Sequence, residues 1–228
     1  MYHAQFHCWK LGCSIKVSYL RIGFGIVSIL LQRANTTVVV IVRNEGTDVA
    51  PLKALPKADN SDLIITYLSI STTSTREIET SHKALAEDLK ARDIEKIDVL
   101  IANAGSGTCF RSTIDTPLSS IAIDFYANTL GPIALYQTLI PFLRASTTAE
   151  FVIIESILGS IGAMIPGVPT LSWVQTKNRQ TFADSIGVPA PPMTVEQSAE
   201  GVLTQIDTVT KETTSGTFVG FDGAEVPW

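Results

Sequence analysis

The residues best suited to chemistry in this sequence stand just after short apolar runs: Arg43 after TVVVIV, the string Ala102-Asn103-Ala104-Gly105 at the end of IDVLIANAG, and Ser156 after FVII. A guanidinium at such a point is a permanent cation with a planar fork of donors, suited to a phosphate or carboxylate group. Small residues let a backbone come close to a ligand, and an Asn among them offers both a donor and an acceptor. A serine hydroxyl can donate to a carbonyl oxygen, although by its letters alone Ser156 is one of many strand-end serines. His3, His7, Cys8 and Cys13 invite a metal reading, but H-x3-H-C-x4-C fits no common zinc pattern, so no metal is expected. Residues 1–20 read instead as an irregular N-terminal segment.

These positions need elements to hold them. The run at 37–42 is short, continuous and β-branched, as expected of a strand buried on both faces of a parallel sheet. Residues 63–68, 97–101, 151–154 and 217–221 are the other strand candidates, each bounded by polar or turn residues. Ile78, His82, Leu85 and Leu89 recur at helical spacing, as do Val195, Val202 and Ile206, and residues 119–143 predict one long apolar helix weakened at Pro132. Thr194 with Gln197 three positions on is a capping box that marks a helix start. Strands alternating with helices imply an α/β, Rossmann-like doubly wound parallel sheet. In such a sheet ligands bind beyond the carboxyl ends of the strands, which is where Arg43, Asn103 and Ser156 fall. Arg43 stands where a dinucleotide-binding fold reads the adenosine ribose, and a cation there favours a 2′-phosphate, hence NADP over NAD. The plainer alternatives are a solvated strand-end arginine and, for 102–105, a tight turn.

With 45% hydrophobic residues the chain can fill one α/β core, and 21–228 is expected to form a single domain. Net charge is -5 and the 17 basic residues are scattered, so neither nucleic acid nor an anionic membrane is an expected partner. Three cysteines without regular spacing point to a reducing, cytoplasmic setting. The apolar stretch 17–42 is interrupted by Arg21, Gln32, Arg33 and Asn35, so it reads as a helix from about Phe24 to Arg33 followed by a strand rather than as a membrane span.

The strings IDVLIANAG (97–105), YANTLGP (126–132) and FVIIESILGSIG (151–162) resemble the short-chain dehydrogenase/reductase superfamily in content, order and spacing. RANTTVVVIVRN, WVQT (173–176) and the ending GTFVGFDGAEVPW resemble its fungal branch of norsolorinic acid ketoreductases. The resemblance implies an NADP-dependent ketoreductase or dehydrogenase of fungal secondary, polyketide metabolism, acting on a small carbonyl or alcohol substrate. It implies that Asn103, Ala104 and Gly105 line the cofactor cleft, and that Asn128 is the helix Asn holding a proton-relay water. Ser156 matches the serine that hydrogen-bonds the substrate carbonyl and stabilises the developing oxyanion. Val174 and Thr176 match the loop that contacts the nicotinamide carboxamide and the phosphates.

The same comparison exposes gaps. The family's proton donor is a Tyr after the Ser, within Tyr-x-x-x-Lys, but no Tyr follows Tyr136, and the only lysines after Ser156 are Lys177 and Lys211, in different contexts. The chain passes from GAMIPGVPT straight into LSWVQT, so the fold is expected to be incomplete relative to the family. Where the family carries Thr-Gly-x-x-x-Gly-Ile-Gly this chain reads KVSYLRIG, in which only Ile22 and Gly23 fit as cofactor-binding positions. An impaired or inactive enzyme is therefore expected, the alternative being a non-catalytic Rossmann-like binding module or a degraded remnant.

Overall fold

A computed structural model describes residues 10–14, 22–70, 73–109, 113–163 and 193–228. The chain divides into two compact units, Met1–Lys16 with Leu30–Ile153, and Val17–Ile29 with Ile154–Trp228.

The first unit is built on a parallel sheet of five strands, β1 (Lys10–Ser14), β2 (Thr37–Val42), β3 (Asp62–Tyr67), β4 (Val99–Ala102) and β5 (Glu150–Ile153), in the order β3-β2-β1-β4-β5. Four of these are the strands expected from their apolar runs. β1 corrects the reading of residues 1–20 as wholly irregular. KLGCS has no β-branched run to announce a strand, yet it is held by neighbours on both sides, with Gly12 opposite Val39 of β2 and Leu100 of β4. Pairing with two distant partners, which no local pattern reports, makes this segment the centre of the sheet.

β2 is buried on both faces, with Val38, Val40 and Val42 at 0–1% exposure on one side and Val39 and Ile41 within the main core on the other. That core is completed by α3 (Thr75–Ala91), α5 (Gly131–Arg144) and Leu100 and Ala102 of β4. The expected stripe on α3 is the one that packs: Ile78, His82, Leu85 and Leu89 are its buried residues. Between β2 and β3 lies only a four-residue helix, α2 (Ala50–Lys53).

The long helix expected over 119–143 is three consecutive pieces: α4 (Leu118–Phe125), a π-helical turn (Tyr126–Leu130) and α5. Pro132 explains the break. It has no N–H to donate into the preceding turn, and the ladder widens there so that Gly131 N donates to Tyr126 O, five residues back.

In the second unit α1 (Ile22–Leu30) begins two residues before the expected Phe24 and ends three before Arg33. It meets α6 (Val195–Thr208) at Gly25, where a Cβ would lie 2.9 Å from Ala199 Cβ and 3.1 Å from Val195 Cγ1. The Thr194 capping box is present with both of its bonds, Gln197 N to Thr194 Oγ1 at 3.2 Å and Thr194 N to Gln197 Oε1 at 3.0 Å. Residues 217–221 are not the strand their letters suggest. Gly223 takes a positive φ of 81°, and the turn around Asp222-Gly223 folds the chain back on itself, leaving a single antiparallel bridge between Val219 and Glu225. Among the described residues no helix is long and apolar enough to cross a membrane.

Candidate functional site

The strand order reverses between β1 and β4, and in a doubly wound sheet that switch point opens a crevice at the carboxyl ends of the strands. Two of the expected positions border this edge. Arg43 follows β2, is exposed, and makes no ion pair among the described residues. Asn103, Ala104 and Gly105 follow β4 and are each half-buried.

The segment after β4 is fastened by two side chains one helical turn apart. Asn128, in the π-helical turn, accepts from Ser106 N at 2.8 Å through Oδ1 and donates to Ser106 O at 2.8 Å through Nδ2. Its amide thus pairs with one residue as a neighbouring strand would. Asp124, on α4, accepts from Ser106 Oγ at 2.8 Å, from Thr108 N at 3.1 Å and from Thr108 Oγ1 at 3.1 Å. A carboxylate takes three donors here because it has lone pairs for about four. Asp124 was not marked by the sequence, although its spacing of four from Asn128 on a helix placed it on the same face. A Cβ on Gly105 would stand 3.6 Å from Asn128 Oδ1, an ordinary contact, so the protein itself does not demand glycine at this point.

Behind the π-helical turn lies His82 of α3, wholly buried. Its Nδ1 donates to Ile78 O at 2.7 Å, the Gly131 backbone stands near the ring, and Nε2 has no hydrogen-bond partner among the described residues. Burial holds its pKa below the usual 6.5, against the opposing pull of the two backbone carbonyls.

Ser156 belongs to the second unit, as do Ile22 and Gly23 at the start of α1. It is half-buried at the head of a 3-10 turn (Ile157–Gly159), and its carbonyl accepts from Gly159 N at 2.7 Å. Gly23 is buried and Ile22 half-buried. The first unit therefore brings Asn128 to the Asn103–Gly105 segment, with Arg43 at the same end of the sheet. Val174, Thr176 and Lys177 lie outside the described residues, as do His3, His7 and Cys8.

A family model for short chain dehydrogenases matches residues 21–167. The chain belongs to the short-chain dehydrogenase family. It is 31% identical to a short-chain dehydrogenase of Pyricularia oryzae, over 91% of this chain and 94% of that one. It is also 31% identical to the norsolorinic acid ketoreductase of Aspergillus parasiticus, over 91% of this chain and 87% of that one. Among solved structures, the carbonyl reductase Sniffer of Drosophila melanogaster superposes with a TM-score of 0.71 at 18% identity, covering 97% of this chain and all of the other. An NADPH-bound carbonyl reductase from chicken fatty liver gives 0.68 at 18% identity, over 96% of this chain and all of the other. At that identity these two speak for the fold, and they agree with the Rossmann-like sheet described above.

Proposed function

We propose that this chain derives from an NADP-dependent ketoreductase of fungal polyketide metabolism and retains parts of its cofactor and substrate sites but not its proton donor. The observation that carries the reading is the fastening of Ser106 by Asn128: the family's helix Asn is kept together with the strand-end segment it secures, while Tyr-x-x-x-Lys is missing from the sequence. The residues at the sheet edge suit a dinucleotide. Arg43 offers a guanidinium that makes no ion pair among the described residues, suited to a 2′-phosphate, and a Cβ on Gly105 would meet no described atom closer than 3.6 Å. Asn103 and Ala104 would line the same cleft, and family correspondence alone assigns Ile22, Gly23, Val174 and Thr176 to cofactor binding. Bound NADPH supplies the hydride. Ser156 would donate a hydrogen bond to the carbonyl oxygen of an aromatic polyketide ketone, and Asn128 would hold the relay water through its backbone, since its side-chain amide is engaged by Ser106. Nothing in this set delivers the proton that the new alkoxide needs.

Titration with NADPH and NADH, followed by cofactor fluorescence and thermal stability, tests the cofactor half. NADPH is expected to bind the more tightly, and Arg43→Ala to weaken it about tenfold. Reduction of an aromatic ketone at saturating cofactor tests the other half, with an expected rate about 10²–10⁴-fold below that of a relative carrying Tyr and Lys. Turnover at the relative's rate would overturn the impaired reading. No binding of either cofactor would favour the second reading, a Rossmann-like module with a non-catalytic role, for which the lost Tyr and Lys are the specific ground.

A further inference from the structure

The last residues of the chain are bonded to the turn that Ser156 opens, and every partner lies within the second unit. Ser156 O accepts from Gly159 N at 2.7 Å and Ile157 O accepts from Ser160 N at 3.0 Å, so one tight turn carries the chain from Ser156 to Ser160. Ser160 is polar yet only 2% exposed. Its hydroxyl is used in both senses: Oγ donates to the carbonyl of Pro227 and accepts from Ala163 N at 2.8 Å. Two residues on, Gly162 N donates to Trp228 O at 2.8 Å. A Cβ on Gly162 would fall 2.8 Å from that oxygen and 2.9 Å from Pro227 Cβ, so only glycine admits so close an approach. The terminal segment is anchored in its turn. Val226 N donates to Phe218 O at 2.8 Å, Val226 is 9% exposed, and the rings of Trp228 and Phe218 lie 5.4 Å apart.

We propose that Pro227–Trp228 form a strap that fixes the turn following β5, and that Ser160 is the positioning residue through which the strap holds Ser156. A single 3-10 turn has poor hydrogen-bond geometry and little stability of its own, so the direction of the residue at its head depends on what pins its tail. Here the pin is a buried hydroxyl. Removing it takes the donor from the Pro227 carbonyl and the acceptor from the Ala163 N–H, two part-buried bonds lost at once. The functional meaning of the strap rests on the proposed role of Ser156; the strap itself does not.

Hydrogen exchange resolved by mass spectrometry on the full chain tests it directly. Ser160→Ala is expected to speed exchange of the amides at 159–163 about tenfold or more while those of β2 and α3 keep their rates, and Ser160→Thr to stay near the parent. Positioning is read separately from the thiol introduced by Ser156→Cys, whose alkylation by iodoacetamide is followed on its own peptide. Adding Ser160→Ala should change that rate severalfold, and Ser160→Thr should restore it. Trp228→Ala removes a ring that is 68% exposed and repeats both readings if Ser160→Ala does not fold. Unchanged exchange at 159–163 overturns the strap. Raised exchange with an unchanged alkylation rate overturns the positioning of Ser156. Failure of the parent chain to bind NADPH sinks only the proposed function.

Discussion

Asp124 and Asn128 share the work of holding the segment after β4, and they do it differently. Asn128 meets the backbone of Ser106 on both sides, so it fixes one residue's plane; Asp124 gathers the hydroxyls of Ser106 and Thr108 and one amide, so it fixes the spacing between two. Asp124→Ala should therefore loosen the segment without disturbing the strand before it. The expected cost is about 1–2 kcal/mol in urea unfolding, because the lost bonds are charge-assisted but partly solvated. Asp124→Asn, which keeps an acceptor, should recover part of it. Equal stability of Asp124→Ala and the parent would show that the loop is held from elsewhere. At this scale the motif YANTLGP pointed to Asn128, whereas nothing in the letters of Asp124 distinguished it from any solvated acid on a helix. Its role comes from where the loop after β4 lands.

Elements differ in how far their own sequence accounts for them. α6 begins where Thr194 and Gln197 cap each other, a device complete within four residues. Thr194→Ala should cost about 1 kcal/mol of stability, with Thr194→Ser close to the parent. The contact of α1 with α6 is less legible. Gly25 is the place where two helices touch with no room for a Cβ. Gly25→Leu should destabilise by about 1–3 kcal/mol through overpacking, measurable by denaturant midpoint at constant slope. A neutral outcome would mean that the helices part at little cost. β1 and residues 217–221 are the opposite failures of local reading. KLGCS becomes a central strand because β2 and β4 both pair with it, while TFVGF, the better strand by composition, is turned back by Asp222-Gly223 before it can join a sheet.

For the molecule as a whole, pH dependence of stability follows from His82. Its ring is buried between α3 and the π-helical turn, and burial holds its pKa below 6.5. In the unfolded chain the imidazole takes up a proton at its ordinary pKa, so below about 6.5 the unfolded state binds more protons than the folded one. The contribution is complete above that value and is lost progressively as the pH falls from it towards the folded pKa. The thermal midpoint should accordingly drop between pH 7.5 and 5.5, and His82→Leu should flatten the drop; an equal slope in the variant would assign it to other groups. Asp88 acts in a separate window. Burial there opposes ionisation, but the bonds from Arg92 Nε at 2.9 Å and Thr66 Oγ1 at 2.6 Å outweigh it and lower the pKa. Its stabilisation is present above its ordinary pKa of 3.8 and is lost as the pH falls below that, well clear of the histidine range.

Sequence by itself determined the family, four strands of the sheet, the buried stripe of α3 and the start of α6. Each of these is written in contiguous letters: an apolar run, a helical repeat, a capping pair or a family string. Tertiary structure alone decided that Lys10–Ser14 lies at the centre of the sheet, that Asp124 grips the segment after β4, and that Pro227 closes on the hydroxyl of Ser160. Those facts depend on backbone groups finding partners far along the chain. A backbone amide or carbonyl is the same in every residue, so a sequence carries no mark of which distant one it will meet.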